Sequence, residues 1–355
     1  MAVYNVNGVQ LSQVYSKDGS LLSYAYDVNG NEVLHGSTPI RPMDWSNIPT
    51  RYMTNISGAV SEAQTYMQNH SVAFAFPVLT DVHDKFYNEP NYLLYNFPNT
   101  FDKFLFLGDM ANAYSQTQMN NAKAYMEQAS SVDVIAIIGN HELGGWAEGD
   151  ALPKTWYQPL IPSDAVVMSD TDALVYYFDD TNNARFIALD SCTPIYKQSG
   201  SQLLTKNELE FFASALDSAG NKTIILLNHA PGQGYTWVAD PTQTGSSTTV
   251  ANLAVTMKAI VDAYINRTSC TFTDDNGVSH THDYSSASGY FVGYFTGHEH
   301  RGGYNNGQDY NMFTLPSSYF NDAGMSIFVI DPDARKVIWL IAYKAGSYGK
   351  YEHTF

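Results

Sequence analysis

Residues 72–83 read Val-Ala-Phe-Ala-Phe-Pro-Val-Leu-Thr-Asp-Val-His. The first nine are an apolar run of strand length, and Asp81 and His83 follow it directly. The same phrase recurs along the chain. Residues 103–107 lead into Gly108-Asp109, residues 134–138 into Gly139-Asn140-His141-Glu142, and residues 223–227 end on Asn228-His229. Residues 291–295 lead into Gly297-His298-Glu299-His300, and a further apolar run covers 186–189. Between these runs, residues 115–131, 206–218 and 249–266 have helical character, and Thr205 with Glu208 forms a capping box at the start of the second. Residues 326–330 and 336–342 predict a hairpin across Asp331-Pro332-Asp333-Ala334. Strands alternating with helices in this way predict an α/β domain, a layered β-sandwich flanked by helices.

Each polar group sits at the C-terminal end of its strand, the edge of an α/β sheet where ligands bind, so separate loops can converge on one site. Carboxylate, imidazole and amide oxygen donors suit divalent ions of intermediate hardness, such as Mn, Fe, Zn, Co or Ni. Two such ions about 3.5 to 4 Å apart can hold both the attacking and the leaving oxygen of a displacement at phosphorus. That chemistry needs a bridging carboxylate, and Asp109, behind Gly108 in a tight turn, is the natural candidate.

Taken in order, Asp-x-His, Gly-Asp, Gly-Asn-His-Glu, His and Gly-His-x-His resemble the signature of the calcineurin-like metallophosphoesterases, over roughly residues 72–345. The resemblance implies one metal held by Asp81, His83 and His300, a second held by Asn140, His229 and His298, and Asp109 between them. It implies that His141 protonates the leaving oxygen or steadies the transition state. One departure matters: where the family commonly has an Asp three residues after the bridging one, this chain has Asn112, and an amide cannot stabilise an imidazolium by charge. Purple acid phosphatases use Asp-x-Gly where this chain has Asp81-Val82-His83, and a Tyr where it has Asn112, so the chain does not resemble that branch.

The 355 residues are 44% hydrophobic and 14% aromatic, which is ample for a large core and argues against disorder. A net charge of -17 and no Lys/Arg run predict no nucleic-acid-binding surface, yet bound cations would still permit an anionic phosphate ester as substrate. Cys192 and Cys270 have no zinc-ligand spacing, and neither a signal peptide nor a membrane span is expected. The expected location is therefore cytoplasmic when made. Residues 1–36, with Asn7-Gly8, Asp18-Gly19 and Asn29-Gly30, predict a small β-hairpin module. Residues 37–71 predict a linker with a short helix over 56–68, and residues 72–355 the catalytic domain.

The phrasing of the first 36 residues resembles β modules that precede hydrolase domains in tail-associated phage proteins. That implies docking on another protein or a virion, and a phosphodiester wall polymer such as teichoic acid as substrate. Phosphodiester hydrolysis stands slightly ahead of monoester hydrolysis. The alternative is a virion or surface structural or binding protein that keeps the metals with weak or no turnover.

Other residues have two readings. His280 and His282 follow Asp275-Asn276-Gly277, a turn signal, and are expected on an exposed loop rather than on a metal. Arg301 either touches a phosphate or forms a surface ion pair. Asn112 and Glu142 are further candidates for orienting the site or touching substrate. Trp146, Trp156 and Trp237 either wall a pocket or pack in the core, and Cys192 reads as a small buried apolar residue.

Overall fold

The computed structural model describes residues 45–144, 151–169, 171–193, 204–231, 254–300, 302–305, 310–317 and 324–355, with the backbone of four short strands before them. Those strands pair antiparallel as β1 (Val3–Tyr4) with β2 (Gln10–Leu11) and β3 (Tyr24–Tyr26) with β4 (Glu32–His35). The Asn7-Gly8 and Asn29-Gly30 pairs, and residues 36–44, lie outside the described residues.

Two sheets make the body. The first has the order β19 (Gly349–Thr354), β18 (Lys336–Ala342), β17 (Met325–Asp331), β5 (Phe74–Leu79), β6 (Lys103–Leu107), β7 (Asp133–Ile137). The second has the order β15 (Gly303–Asn305), β16 (Asn311–Thr314), β14 (Tyr290–Thr296), β11 (Thr223–Leu227), β10 (Ala184–Ala188), β9 (Tyr176–Asp179), β8 (Val166–Val167). Strands β5, β6 and β7 are parallel neighbours, as are β10, β11, β14 and β16. All seven therefore point their C-terminal ends along the direction of their own sheet, where the polar phrases lie.

The apolar runs are continuous because both faces of these strands are covered. In β11, Ile225 and Leu227 enter the core between the sheets, while Ile224 and Leu226 face helices α5 (Lys206–Asp217) and α6 (Ala254–Asn266) outside it. Across the inner seam, the Phe76 ring meets Phe186 at 5.4 Å and Phe295 at 6.3 Å. Helix α1 (Thr50–Asn69) runs six residues further back than the expected start at 56, because Pro49 fixes its entry and Tyr52 already belongs to the buried stripe of Ile56, Ala59, Val60 and Ala63. The capping box of Thr205 and Glu208 forms, with Glu208 N donating to Thr205 Oγ1 at 3.1 Å. No helix among the described residues is long and apolar enough to cross a membrane.

One expectation is overturned. The Asp275-Asn276-Gly277 turn, with Gly277 at φ +80°, joins β12 (Ser269–Thr273) to β13 (Ser279–Asp283), and His280 and His282 lie on β13 rather than on an exposed loop. His282 is buried, with its two ring nitrogens 2.6 Å from Asp217 and 2.9 Å from Glu210 of α5. Carboxylates on the neighbouring helix give both nitrogens partners, which is why this side chain turns inward.

Candidate metal centre

At the rim, Asp81 and His83 follow β5, Asp109 follows β6, Asn140 follows β7, His229 follows β11, and His298 and His300 follow β14. The first two loops are zipped together: the amides of Asp81, His83 and Asp84 donate to the carbonyls of Gly108, Asp109 and Met110. Asp81, His83, Asp109, His298 and His300 all have φ between 48° and 68°, the left-handed region that side chains normally avoid. The motif glycines permit this crowding. A Cβ on Gly139 would fall 2.2 Å from the Asp109 amide nitrogen, and one on Gly297 would fall 1.9 Å from Thr80 Oγ1.

The side chains converge as two groups that share one residue. Asp81, His83, Asp109 and His300 present donor atoms within 4.8 Å of one another, and so do Asp109, His229 and His298. His83 Nε2 lies 3.0 Å from His300 Nε2, which is 3.1 Å from Asp81 Oδ1. His229 Nε2 lies 3.1 Å from His298 Nδ1, 3.1 Å from Asn140 Oδ1 and 3.3 Å from Asp109 Oδ2. Metal–nitrogen bonds of about 2.0–2.1 Å hold neighbouring donors about 3 to 3.5 Å apart, so these spacings suit an ion within each group.

The decisive atom is Asp109 Oδ2. Its partner oxygen, Oδ1, accepts the amide of His141 at 2.8 Å. Oδ2 itself is buried and accepts no hydrogen bond among the described residues, although ring nitrogens of His229, His83 and His141 stand 3.3, 3.9 and 4.0 Å away. A buried carboxylate oxygen without a donor is costly unless a cation meets it. Nitrogen and oxygen donors around it match divalent ions of intermediate hardness.

The electrostatics point the same way. Burial works against charge on Asp109, yet the surrounding histidines hold its carboxyl well below the usual range. Burial also opposes charge on His229, but Asp109 and Asp81 outweigh it and push the imidazole up to about 10. His83 goes the other way: burial holds it at about 4 against the pull of the same carboxylates. The carboxylates of Asp81 and Asp109 thus impose a negative field on the rim that favours positive charge there, as a divalent cation would supply.

Supporting contacts fix the ligands. His229 Nδ1 donates to the Leu107 carbonyl at 2.7 Å, which leaves Nε2 as the lone-pair nitrogen facing the site. Asp81 accepts the His298 amide at 2.9 Å and the Thr80 hydroxyl at 2.7 Å, and Ser317 Oγ donates to the Asp81 carbonyl at 2.8 Å. Asn228 joins the Ser191 amide at 3.2 Å to the Tyr294 hydroxyl at 2.9 Å and so holds the loop that carries His229. Thr80 and Asn228 adjoin ligand candidates in sequence and were legible as neighbours; Ser317, 236 positions from Asp81, left no signal.

Glu142 is not among the clustered donors. Its carboxylate accepts the amides of Asp109 at 2.9 Å, Gly139 at 2.7 Å and Ala111 at 2.8 Å, stapling the loops after β6 and β7, and burial together with Asp109 pushes its pKa up to about 7. His141 is more open, 39% exposed, with Nε2 toward Asp109. Its Nδ1 donates at 2.5 Å to the backbone carbonyl of Asn112, while the Asn112 side chain belongs to an exposed residue. The expected side-chain partnership is therefore replaced by a main-chain one. Arg301, Trp146 and Trp237 lie outside the described residues; Trp156 packs against the core, and Cys192 is buried within it.

A family model for calcineurin-like phosphoesterases matches residues 76–302. No curated protein sequence matches the chain. Among solved structures it is similar to PhoD, with 11% identity and a TM-score of 0.49 over 79% of this chain and 70% of that one. It is also similar to GAP50, the anchor in the inner membrane complex of Plasmodium, with 14% identity and a TM-score of 0.44 over 80% of this chain and 88% of that one. Purple acid phosphatase PPD1 from yellow lupin (Lupinus luteus) seeds matches with 12% identity and a TM-score of 0.46 over 79% of this chain and 54% of its own, so the chain spans about half of the lupin protein's length.

Proposed function

The chain belongs to the calcineurin-like phosphoesterase family, and from that premise we propose that it hydrolyses a phosphate ester at a centre for two divalent transition ions. Asp81, His83, Asp109 and His300 hold one, and Asp109, Asn140, His229 and His298 hold the other. When bound, such a pair supplies Lewis acidity at phosphorus and lowers the pKa of a water. The observation that carries the reading is Asp109 Oδ2, buried without a donor between the two groups of ligands.

The chain's own residues supply the rest. His229 and the two loops zipped at Asp81 and Asp109 hold the donors in place before any substrate arrives, so little reorganisation is needed during reaction. Glu142 keeps the loops after β6 and β7 in register. His141, with Nδ1 anchored on the Asn112 carbonyl, presents Nε2 on the open side of Asp109; in its protonated form that nitrogen can give a proton to the departing alkoxide.

The test is turnover of a chromogenic monoester and diester by the Mn- or Zn-loaded protein, with and without chelator. A wall-polymer preparation belongs in the same assay, because the Asn-Gly phrasing of residues 1–36 resembles tail-associated phage modules. Chelator-sensitive turnover is expected, with the diester ahead. Two bound ions and no turnover on any substrate would instead favour a binding protein that retains the metals.

A further inference from the structure

Helix α3 (Gln116–Met126) begins on Ser115, whose Oγ accepts the Gln118 amide at 3.2 Å, and Met119, Ala122, Tyr125 and Met126 bury its inner face. Ser115-x-x-Gln118 has the spacing of a capping box, in which the second side chain turns back to the amide of the first residue. Glu208 does this at α5, where its carboxylate accepts the Thr205 amide at 2.6 Å. Gln118 reaches further. Its Oε1 accepts the amides of Asn112 at 3.1 Å and Ala113 at 2.7 Å, which uses both lone pairs of that oxygen.

The Ala113 amide is the informative partner. It belongs to the same peptide plane as the Asn112 carbonyl, and in a planar trans peptide the N–H and the C=O point in opposite directions. That carbonyl accepts His141 Nδ1 at 2.5 Å. Gln118, one peptide plane and the His141 ring therefore form a single line of hydrogen bonds, in which holding the first member directs the last. The ring needs such a hold, because it is 39% exposed and its Nε2 stands 4.0 Å from Asp109 Oδ2, too far for a hydrogen bond. Glu142 secures the earlier part of the same loop, through the amides of Asp109 and Ala111, and its bonds stop short of the Asn112–Ala113 peptide.

Resting on the phosphoesterase reading, in which His141 Nε2 serves the departing oxygen, we propose that Gln118 is the positioning residue for His141. It holds the Asn112–Ala113 peptide so that the carbonyl keeps Nδ1 engaged and Nε2 turned to the open side of Asp109. The ring is thereby aimed through the main chain, with the Asn112 side chain left out.

The test compares wild type, Gln118→Met and Gln118→Glu as full chains loaded with Zn. Met has nearly the length of Gln without its acceptor oxygen, whereas Glu keeps an acceptor and suits the first turn of a helix. Gln118→Met should lower kcat for an alkyl ester roughly tenfold, as displacement of a positioned group does. Ion content and KM should change little, and a nitrophenyl ester should lose far less. Gln118→Glu should restore most of the loss. In a His141→Ala background Gln118→Met should cost nothing further, since both changes remove one function. Equal loss on the two esters, an additive loss in the double variant, or a Gln118→Glu protein as slow as Gln118→Met would each overturn the assignment.

A readout without turnover keeps the two readings apart. In proton NMR the Nδ1 hydrogens of His141 and His229, each held on a carbonyl, should give downfield signals, the first identified by its loss in His141→Ala. Gln118→Met should abolish the His141 signal and spare that of His229. If wild type turns over no ester, the phosphoesterase reading fails and the signal still decides whether Gln118 holds the ring. If the His141 signal survives Gln118→Met, the positioning role fails whatever the turnover.

Discussion

The rim and the β12–β13 hairpin carry the same kinds of side chain in opposite arrangements. At the rim, His83, His229, His298 and His300 crowd ring nitrogens against one another around two carboxylates, and Asp109 Oδ2 is left without a donor. On the hairpin, His282 places its nitrogens 2.6 Å from Asp217 and 2.9 Å from Glu210, while His280 stands 3.0 Å from Asp274 and 3.4 Å from Glu210. There every imidazole nitrogen has a carboxylate beside it, with Glu210 serving both rings. Capacity for a metal therefore follows from acceptors that converge and stay unpaired, and not from the number of histidines in a stretch.

The sharpest way to break this contrast is Asp109→Asn. It should take the ion content from two per chain to near none and lower turnover by more than about a hundredfold, beyond the range seen when only supporting contacts are lost. Glu210→Gln, at the centre of the hairpin ladder, should leave both unchanged. Elemental analysis of the two variants settles the matter, and retention of one ion by Asp109→Asn would remove that residue from the bridge.

His141→Ala tests whether every histidine at the rim is a ligand. Both ions should stay while turnover falls roughly a hundredfold, the range for a positioned acid. Nitrophenolate esters should lose less, because their leaving group needs little protonation. Full activity with metal bound would send the search for the acid elsewhere.

A smaller effect is expected from pH on the hairpin. Burial lowers the affinity of His282 for a proton, but hydrogen bonds to Asp217 and then Glu210 outweigh it and raise the folded pKa. A raised folded pKa means that the ladder stabilises the fold fully below the ordinary histidine value of about 6.5 and loses that contribution as pH climbs through the higher folded value. Amide exchange in β13 should accelerate over that climb, and His282→Gln should flatten the dependence. Protection that rises with pH would reverse the assignment.

The smallest effect should come from Asn112→Asp. A side chain on an exposed residue changes stability by ~0.5 kcal/mol or less, and the bond to His141 comes from the main chain. The pH–rate profile should stay in place; an upward shift of its falling limb would mean that the new carboxylate reaches the imidazole after all.

That last case shows where the sequence stopped being readable. Strands β6, β11 and β18 are legible to the residue, because each is an apolar run buried on both faces. Strands β12, β13 and β19 are not, since Ser-Cys-Thr-Phe-Thr, Ser-His-Thr-His-Asp and Gly-Lys-Tyr-Glu-His-Thr are mostly exposed or partly buried and depend on a partner strand for their shape. The seven metal-ligand candidates could be named because each follows an apolar run of strand length and together they fall in a fixed order of motifs. The carbonyls that orient His141 and His229 could not, because every residue has one.

Five of those candidates also lie in the left-handed backbone region, where a residue other than glycine costs roughly 1–2 kcal/mol. The same positions are thus where stability and function are in direct conflict. Glycine there would relax the chain and delete the ligand in one step, so selection for robustness alone would erode this rim before any other part of the protein.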